Sequence, residues 1–279
     1  MNNIFNIRRF GLVMSKDFRE NWKKYSLQFL TMFGIITVII TFYSNQRIND
    51  SYEQLNRILL EFSSFLFLGF GIIFSSTMMD SMRGKTTRIA YLTMPSSSFE
   101  KFISRWLIVT IGYVIAFFIA LWMADAVRVA FMSFKFPELD FRFLNLGWLV
   151  NLGTEDDYNN YIFFSKYFFL FCISLYTFLQ SLFILGATFC ERASFIKTFS
   201  AIAIIVILFI YLNRGVIEII HDSFDSFGEK FDHFFKMIIE NPTEKSLSLF
   251  FACILIVLTL FSWVIAFFRF RESEIINRL

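Results

Sequence analysis

Six apolar stretches divide this chain, and each has the about 18 residues or more that a helix needs to cross a hydrocarbon core of roughly 30 Å. Inside a bilayer no water can hydrogen-bond an open backbone, so such stretches must be helical. The predicted fold is an all-α integral membrane protein with a single six-helix transmembrane domain over residues 25–268. The predicted spans are residues 25–43, 58–79, 104–124, 162–190, 195–212 and 247–268.

The charged residues between the spans alternate in sign. Segments 1–24, 80–105, 191–197 and 269–279 together hold 16 basic and 7 acidic residues, whereas the other segments hold 10 basic and 16 acidic ones. The positive-inside rule then places both termini and loop 80–103 in the cytoplasm, and loops 125–161 and 213–246 outside. Because the basic residues lie next to span ends and form no single patch, the sequence does not indicate a nucleic-acid partner.

Two segments outside the spans are predicted to be amphipathic helices. In the cytoplasmic segment 1–24 and its junction with the first span, apolar residues recur three, four or seven positions apart, at Ile4, Ile7, Met14, Phe18, Trp22 and Tyr25. This pattern is typical of an interfacial helix, which either anchors the chain at the membrane surface or also contacts a partner. A similar pattern over residues 214–240 predicts an extracellular helix before the last span.

Loop 80–103 carries a helix start signal. After Pro95, the hydroxyl of Ser97 and the carboxylate of Glu100 have the spacing of a capping box, in which each accepts a hydrogen bond from the other's backbone N–H. A helix is therefore expected to begin there and to lead into span three. The basic stretch between Met82 and Met94 lies outside that helix and is available to dock onto a soluble partner.

Catalytic, nucleotide-binding and metal-binding motifs are not evident. Gly84, Lys85 and Thr86 resemble the end of a phosphate-binding loop, but Met79 stands where the first glycine of that motif is required. His221, Asp225 and Glu229 have helical spacing, which a solvated acidic face explains more simply than a metal site. The three cysteines fall in predicted spans and predict no disulfide framework. The chain is thus expected to be no enzyme and to hold no cofactor or metal.

Within the spans, small residues at Gly112, Ala116, Ala120 and Ala124 form a seam that lets another helix approach span three closely. Span four carries a mildly polar stripe with Ser174, Tyr176, Thr177 and Gln180, which suits either helix–helix hydrogen bonding or a substrate path. Ionisable residues in the spans are few and lie near the ends. Proton and ion pathways usually need such groups at mid-depth, so a secondary transporter is not favoured.

The layout of the whole chain resembles the ABC-2 type membrane permeases, also called type V exporter subunits. The most specific local match is the segment from Tyr91 to Leu107, YLTMPSSSFEKFISRWL. It is similar to a leucine- and proline-containing loop in that family, followed by a serine, a glutamate and a basic residue entering span three, especially in permeases of Bacteroidetes-type bacteria. The acidic loop after span three is longer than the family pattern.

The resemblance implies a permease subunit of an ATP-driven exporter that moves a hydrophobic or amphipathic substrate. ATP and Mg would bind a separate ABC ATP-binding subunit, and a second permease chain would complete a homodimer or heterodimer in a bacterial inner membrane. The implied docking segment is Met82 to Glu100, with Glu100 also as helix cap and with contacts at Arg83, Arg88, Tyr91, Leu92 and Pro95. A membrane scaffold or sensor subunit, a secondary transporter and an intramembrane enzyme are the alternatives.

Overall fold

The computed structural model describes residues 5–80, 84, 87, 89, 91, 93–149, 166–190, 193–219 and 245–276. These residues are almost entirely helical, and none of them forms a strand. The helices are α1 (Ile7–Gln46), α2 (Tyr52–Ser76), α3 (Ser98–Leu107), α4 (Tyr113–Lys135), α5 (Lys166–Phe189), α6 (Ser194–Ile219) and α7 (Lys245–Ile276). A π-helical turn, Ile108–Gly112, joins α3 to α4, and a short 3₁₀ helix covers Leu146–Leu149.

The described part of the chain contains six helices that are long and apolar enough to cross a membrane, as the sequence predicted. They are α1, α2, the continuous unit of α3, the π-turn and α4, then α5, α6 and α7. The first residues of α1, the end of α2 and the end of α7 meet at the start of α3. We call this the basic end of the bundle. Its cytoplasmic location stays a prediction.

Helix α1 is one unbroken helix of 40 residues, so no break separates the predicted cytoplasmic helix 1–24 from the first span. Asn6 caps it by accepting hydrogen bonds from the backbone N–H groups of Arg8 and Arg9. At about 1.5 Å per residue its length is roughly 60 Å, twice the hydrocarbon thickness. The first half of α1 therefore projects beyond the core as part of the same helix.

The third span is longer than the sequence predicted. Helix α4 continues to Lys135, so residues 125–135, assigned to an outer loop, belong to the helix. The π-turn at Ile108–Gly112 follows directly from α3. In this span 44% of the residues of an 18-residue apolar stretch are buried, a higher share than in any of the other five spans. This burial places the third span at the centre of the bundle.

Two apolar clusters hold the helices together. The first joins α1, α2 and α4 around Ile36, Ile40, Leu59 and Phe117. Ala120 and Ala124 are fully buried in it, as expected for a seam of small residues, whereas Gly112 and Ala116 are half-buried. The second cluster lies at the basic end and joins α3, α5 and α7 with the residues that follow α2.

Two glycines outside the predicted seam allow close helix contacts. A Cβ atom at Gly71 in α2 would overlap the Tyr176 hydroxyl of α5, and one at Gly186 in α5 would overlap Thr198 of α6. Only a residue without a side chain fits at such distances.

The predicted extracellular helix at 214–240 lies mostly outside the described residues, and its first six residues continue α6.

Candidate functional site at the basic end

Glu100 joins the start of α3 to the start of α1. Its carboxylate completes the predicted capping box, because Ser97 Oγ accepts from the Glu100 N–H and Glu100 Oε2 accepts from the Ser97 N–H at 3.1 Å. The same carboxylate receives Arg9 Nε at 2.6 Å, Arg9 Nη2 at 2.8 Å and the Asn6 N–H at 2.7 Å. Bidentate arginine–carboxylate pairs have strict geometry. Glu100 thus holds two helix starts, about 90 residues apart, in one orientation.

Arg105, one turn and a half further along α3, forms a second and deeper connection. Its Nη2 donates to Asp17 Oδ1 in α1 at 3.0 Å, and its Nη1 donates to the Met78 carbonyl after α2 at 3.2 Å. Asp17 also accepts from the Tyr25 hydroxyl at 3.0 Å. Both charged side chains are under 10% exposed. A buried pair of this kind is costly to break, since removal of one partner leaves the other charge without compensation.

Tyr91 connects loop 80–103 to this ion pair. Its ring lies under the Arg105 guanidinium, 4.1 Å from centroid to Cζ, and its hydroxyl donates to the Lys101 carbonyl at 3.2 Å. The ring also meets Phe270 of α7 edge to face, with centroids 6.2 Å apart. A cation held over an aromatic face gains electrostatic stabilisation that grows when water is excluded. Tyr91 is therefore an internal link between the loop, α3 and α7.

A further ion pair joins Lys24 of α1 to Asp80 after α2. Between this pair and Arg105 lies a cavity of about 20 Å³, whose walls include Asn21 and Thr77. One water molecule fits such a space when polar partners are present. In the described part of the chain the buried Nε of Arg105, one of the residues that line this cavity, has no hydrogen-bond partner.

The predicted docking contacts therefore divide into three groups. Arg83, Arg88 and Leu92 lie outside the described residues. Pro95 is exposed, as a docking contact must be. Tyr91 is 4% exposed and Glu100 is fully buried, so both side chains bind other helices of this chain and are not presented to a partner.

Besides Pro95, several apolar side chains are exposed at the basic end, in the first residues of α1, in loop 80–103 and at the start of α3. Phe5 and Phe99 are 46% and 39% exposed and meet each other edge to face at 6.4 Å. Ile7, Leu12 and Ile89 are more than half exposed. Exposed apolar residues that cluster beyond the membrane typically mark an interaction surface. We call Phe5, Ile7, Leu12, Ile89, Pro95 and Phe99 the tip surface.

Asp17 is a site residue that the sequence analysis did not single out. It is buried on the side of α1 that faces the other helices, in a segment where basic residues predominate, and its partner is 88 positions away. Its distance of eight residues from Tyr25 places the two on one helix face. This spacing was the available signal, but nothing local indicated which arginine would pair with the carboxylate.

A second buried ion pair lies at the opposite end of the bundle, within the extended part of α4. Arg128 Nε donates to Asp125 Oδ1 at 2.7 Å, and its other nitrogens reach Ser44 and the Arg142 carbonyl. Asp125 Oδ2 accepts from the Leu144 N–H at 2.8 Å. The expectation that ionisable groups are confined to a few span ends missed this pair, because the predicted span three ended at Ala124, before Asp125 and Arg128, whereas α4 continues to Lys135.

This pair holds segment 136–149 over the ends of α1 and α2. Asn56 of α2 adds a two-way hydrogen bond with the Asn145 backbone, at 2.9 and 3.5 Å. A cavity of about 140 Å³ lies beneath, and Tyr52, Arg128 and Arg142 are among the residues that line it. The predicted outer loop is thus packed onto the bundle over its first half. Residues 150–161, the last third of that loop, lie outside the described part.

The polar stripe of span four makes helix contacts. Ser174 and Thr177 hydroxyls donate to carbonyls of their own helix. Gln180 Nε2 donates at 3.4 Å to the carbonyl of Val109, which lies in the π-turn. These hydrogen bonds favour the packing interpretation of the stripe over the substrate path.

Among the described residues no group of His, Cys, Asp and Glu has the arrangement of a metal site, and His221, Asp225, Glu229 and His233 lie outside them.

No family model matches the chain, and no curated protein or solved structure matches it. The resemblance to ABC-2 permeases stays a prediction from the sequence.

Proposed function

We propose that this chain is the membrane permease subunit of an ABC exporter, with ATP hydrolysis supplied by a separate ATP-binding subunit. The partner subunit would carry ATP and Mg, and a second permease chain would pair with this one in a bacterial inner membrane. The substrate would be hydrophobic or amphipathic, as the apolar bundle suggests.

The observation that supports this proposal is the attachment of loop 80–103 to several spans at once. Tyr91 and Arg105 link the loop to α1, to the end of α2 and to α7, and Glu100 links it to the start of α1. Because these contacts are buried and charged, the loop cannot move far alone without exposing or unpairing them. A partner that pushes on the loop would therefore move spans one and three together.

The tip surface supplies the place where such a partner would bind. It is apolar at Phe5, Ile7, Leu12, Ile89 and Phe99, and Arg8 beside it is exposed. Protein interfaces commonly combine an apolar centre with charged residues at the rim. In this proposal Pro95 keeps its docking role, whereas Tyr91 and Glu100 act as internal supports of the docking surface.

The decisive experiment is purification of the tagged chain from its native membranes after mild cross-linking. We expect mass spectrometry to identify a captured subunit that contains a phosphate-binding loop, and the complex to show vanadate-sensitive ATP hydrolysis. Phe99→Glu and the double variant Arg83→Glu/Arg88→Glu should each reduce capture. Arg57→Glu is the matched control, since Arg57 makes an exposed intrahelical pair with Glu61.

A complex that lacks any nucleotide-hydrolysing chain would contradict the proposal. If the captured proteins are unchanged in both Phe99→Glu and Arg83→Glu/Arg88→Glu, the proposed docking surface is wrong. A stable complex without ATP hydrolysis would instead favour a membrane scaffold or sensor subunit.

A further inference from the structure

One column of exposed side chains on α1 crosses the boundary between its charged and apolar halves. Arg19, Lys23, Ser26 and Leu30 follow each other at intervals of three or four residues, and Leu27 lies beside them. In an α-helix such spacing places residues on one face. We call these five residues the α1 column; at about 1.5 Å per residue it is roughly 16 Å long.

The column faces away from the rest of the bundle. Asp17, Lys24 and Tyr25 lie on the other side of α1, where they bind Arg105, Asp80 and one another. Leu27 and Leu30 are 63% and 61% exposed, and Arg19, Lys23 and Ser26 are also exposed. Tertiary contacts on one face therefore hold the column in an outward orientation.

The two cations of the column have no acidic partner among the described residues. The nearest acidic residue in sequence, Glu20, pairs with Lys16 at 3.5 Å. Lys23 Nζ lies 6.0 Å from the ring centroid of Trp22, which is 56% exposed. Tryptophan is enriched where the hydrocarbon core meets the headgroups, so its position next to Lys23 marks that level.

We propose that the α1 column is a binding site for an anionic phospholipid of the leaflet at the basic end. Arg19 and Lys23 bind the phosphate, and the Ser26 hydroxyl donates a hydrogen bond to a headgroup oxygen. The acyl chains lie along Leu27 and Leu30. Positive charge immediately beyond an apolar span attracts anionic lipid, and arginine matches phosphate geometry through paired N–H groups.

The apolar half of the column argues against an acidic protein as its occupant. Leu27 and Leu30 lie in the predicted first span, residues 25–43, where exposed side chains would face hydrocarbon. A soluble protein could reach Arg19 and Lys23 but not these two leucines. A ligand that contacts all five residues must be anionic at one end and apolar at the other.

Native mass spectrometry of the full chain in a non-ionic detergent tests the site. Phosphatidylglycerol and phosphatidylcholine with identical acyl chains are titrated against wild type and against Arg19→Gln/Lys23→Gln. The control is Arg8→Gln/Arg271→Gln, which removes the same charge from exposed positions outside the column. Thermal unfolding with each lipid, and with inorganic phosphate alone, gives a second measurement.

We expect wild type to prefer phosphatidylglycerol, and the Arg19→Gln/Lys23→Gln variant to bind it roughly tenfold more weakly. The control variant should bind phosphatidylglycerol within about twofold of wild type. Ions in solution screen charges that lie far from the column, so the loss of net charge alone has little effect on binding there. Phosphatidylglycerol should raise the unfolding temperature of wild type and of the control only.

Three results would overturn the proposal. They are equal binding of the two lipids to wild type, equal losses in both double variants, and stabilisation by inorganic phosphate as large as by phosphatidylglycerol. Retained lipid binding with loss of a captured soluble partner in the Arg19→Gln/Lys23→Gln variant would assign the face to a protein instead. None of these outcomes depends on whether the chain is an exporter subunit.

Discussion

Arg105 of α3 and Asp17 of α1 form a buried ion pair, with Nη2 3.0 Å from Oδ1, across 88 residues of sequence. The pair ties the segment after span two to the projecting half of α1. It is the contact at the basic end whose loss should matter most, because both charges are shielded from water.

The Asp17→Asn variant should lower the free energy of unfolding by roughly 3–5 kcal/mol, since it leaves the Arg105 guanidinium buried without a counter-charge. Adding Arg105→Met should recover much of that loss, because a buried pair can often be replaced by apolar side chains. Unfolding in mixed detergent micelles measures both. Glu20→Gln, which breaks the exposed pair with Lys16, should change the same quantity by less than about 1 kcal/mol. Equal losses for Asp17→Asn and Glu20→Gln would contradict the buried pair.

The capping box at α3 can be tested with two adjacent serines. Ser97→Ala removes the cap and should cost about 1 kcal/mol of stability. Ser96→Ala should be neutral or slightly stabilising, because the Ser96 hydroxyl is buried and has no hydrogen-bond partner among the described residues. Thermal unfolding of the two variants in one detergent compares them. An effect of Ser96→Ala as large as that of Ser97→Ala would show that the helix starts elsewhere.

The close approach of α2 and α5 predicts opposite outcomes for two glycines on one helix. Gly71→Ala should destabilise by about 1–3 kcal/mol, because the new methyl group would overlap the Tyr176 hydroxyl. Gly69→Ala places its methyl group in open space and should be neutral or stabilising by up to about 1 kcal/mol. Tyr176→Phe should partly rescue Gly71→Ala, since it removes the nearest atom. If both alanine variants behave alike, the two helices do not approach at Gly71.

The ion pair between Asp125 and Arg128 in α4 is expected to keep segment 136–149 packed on the bundle. Arg128→Gln should make backbone amides in this segment exchange faster with deuterium, because it removes the donor to the Arg142 carbonyl and leaves Asp125 buried and unpaired. Lys135→Gln is the control, since Lys135 is exposed and makes no buried ion pair: its Nζ donates to Asn45 Oδ1 and lies 5.1 Å from the centroid of the Phe136 ring. Unchanged exchange in Arg128→Gln would mean that the segment is held by two other contacts, the hydrogen bonds between Asn56 and the Asn145 backbone and the one that the Tyr52 hydroxyl donates to the Phe143 carbonyl at 2.8 Å.

Several elements were predictable from the residues alone because their causes are local. The six spans follow from apolar length, and the start of α3 follows from the spacing of Ser97 and Glu100. The buried position of Ala120 and Ala124 follows from residue size. The end of span three at Lys135 was not predictable, because Asp125 and Arg128 resemble loop residues until they are seen to neutralise each other.

The sequence by itself determined that this chain is helical, that it has six helices long and apolar enough to cross a membrane, and that the segments between them alternate between basic and acidic. Apolar length, charge distribution and helix caps act over a few residues, so they can be recognised without the fold. The tertiary structure decided that Tyr91 and Glu100 point inward, that Asp17 pairs with Arg105, and that Arg19 and Lys23 face outward. Pairing across 88 residues depends on which helices become neighbours, and that choice follows from the packing of whole helix faces.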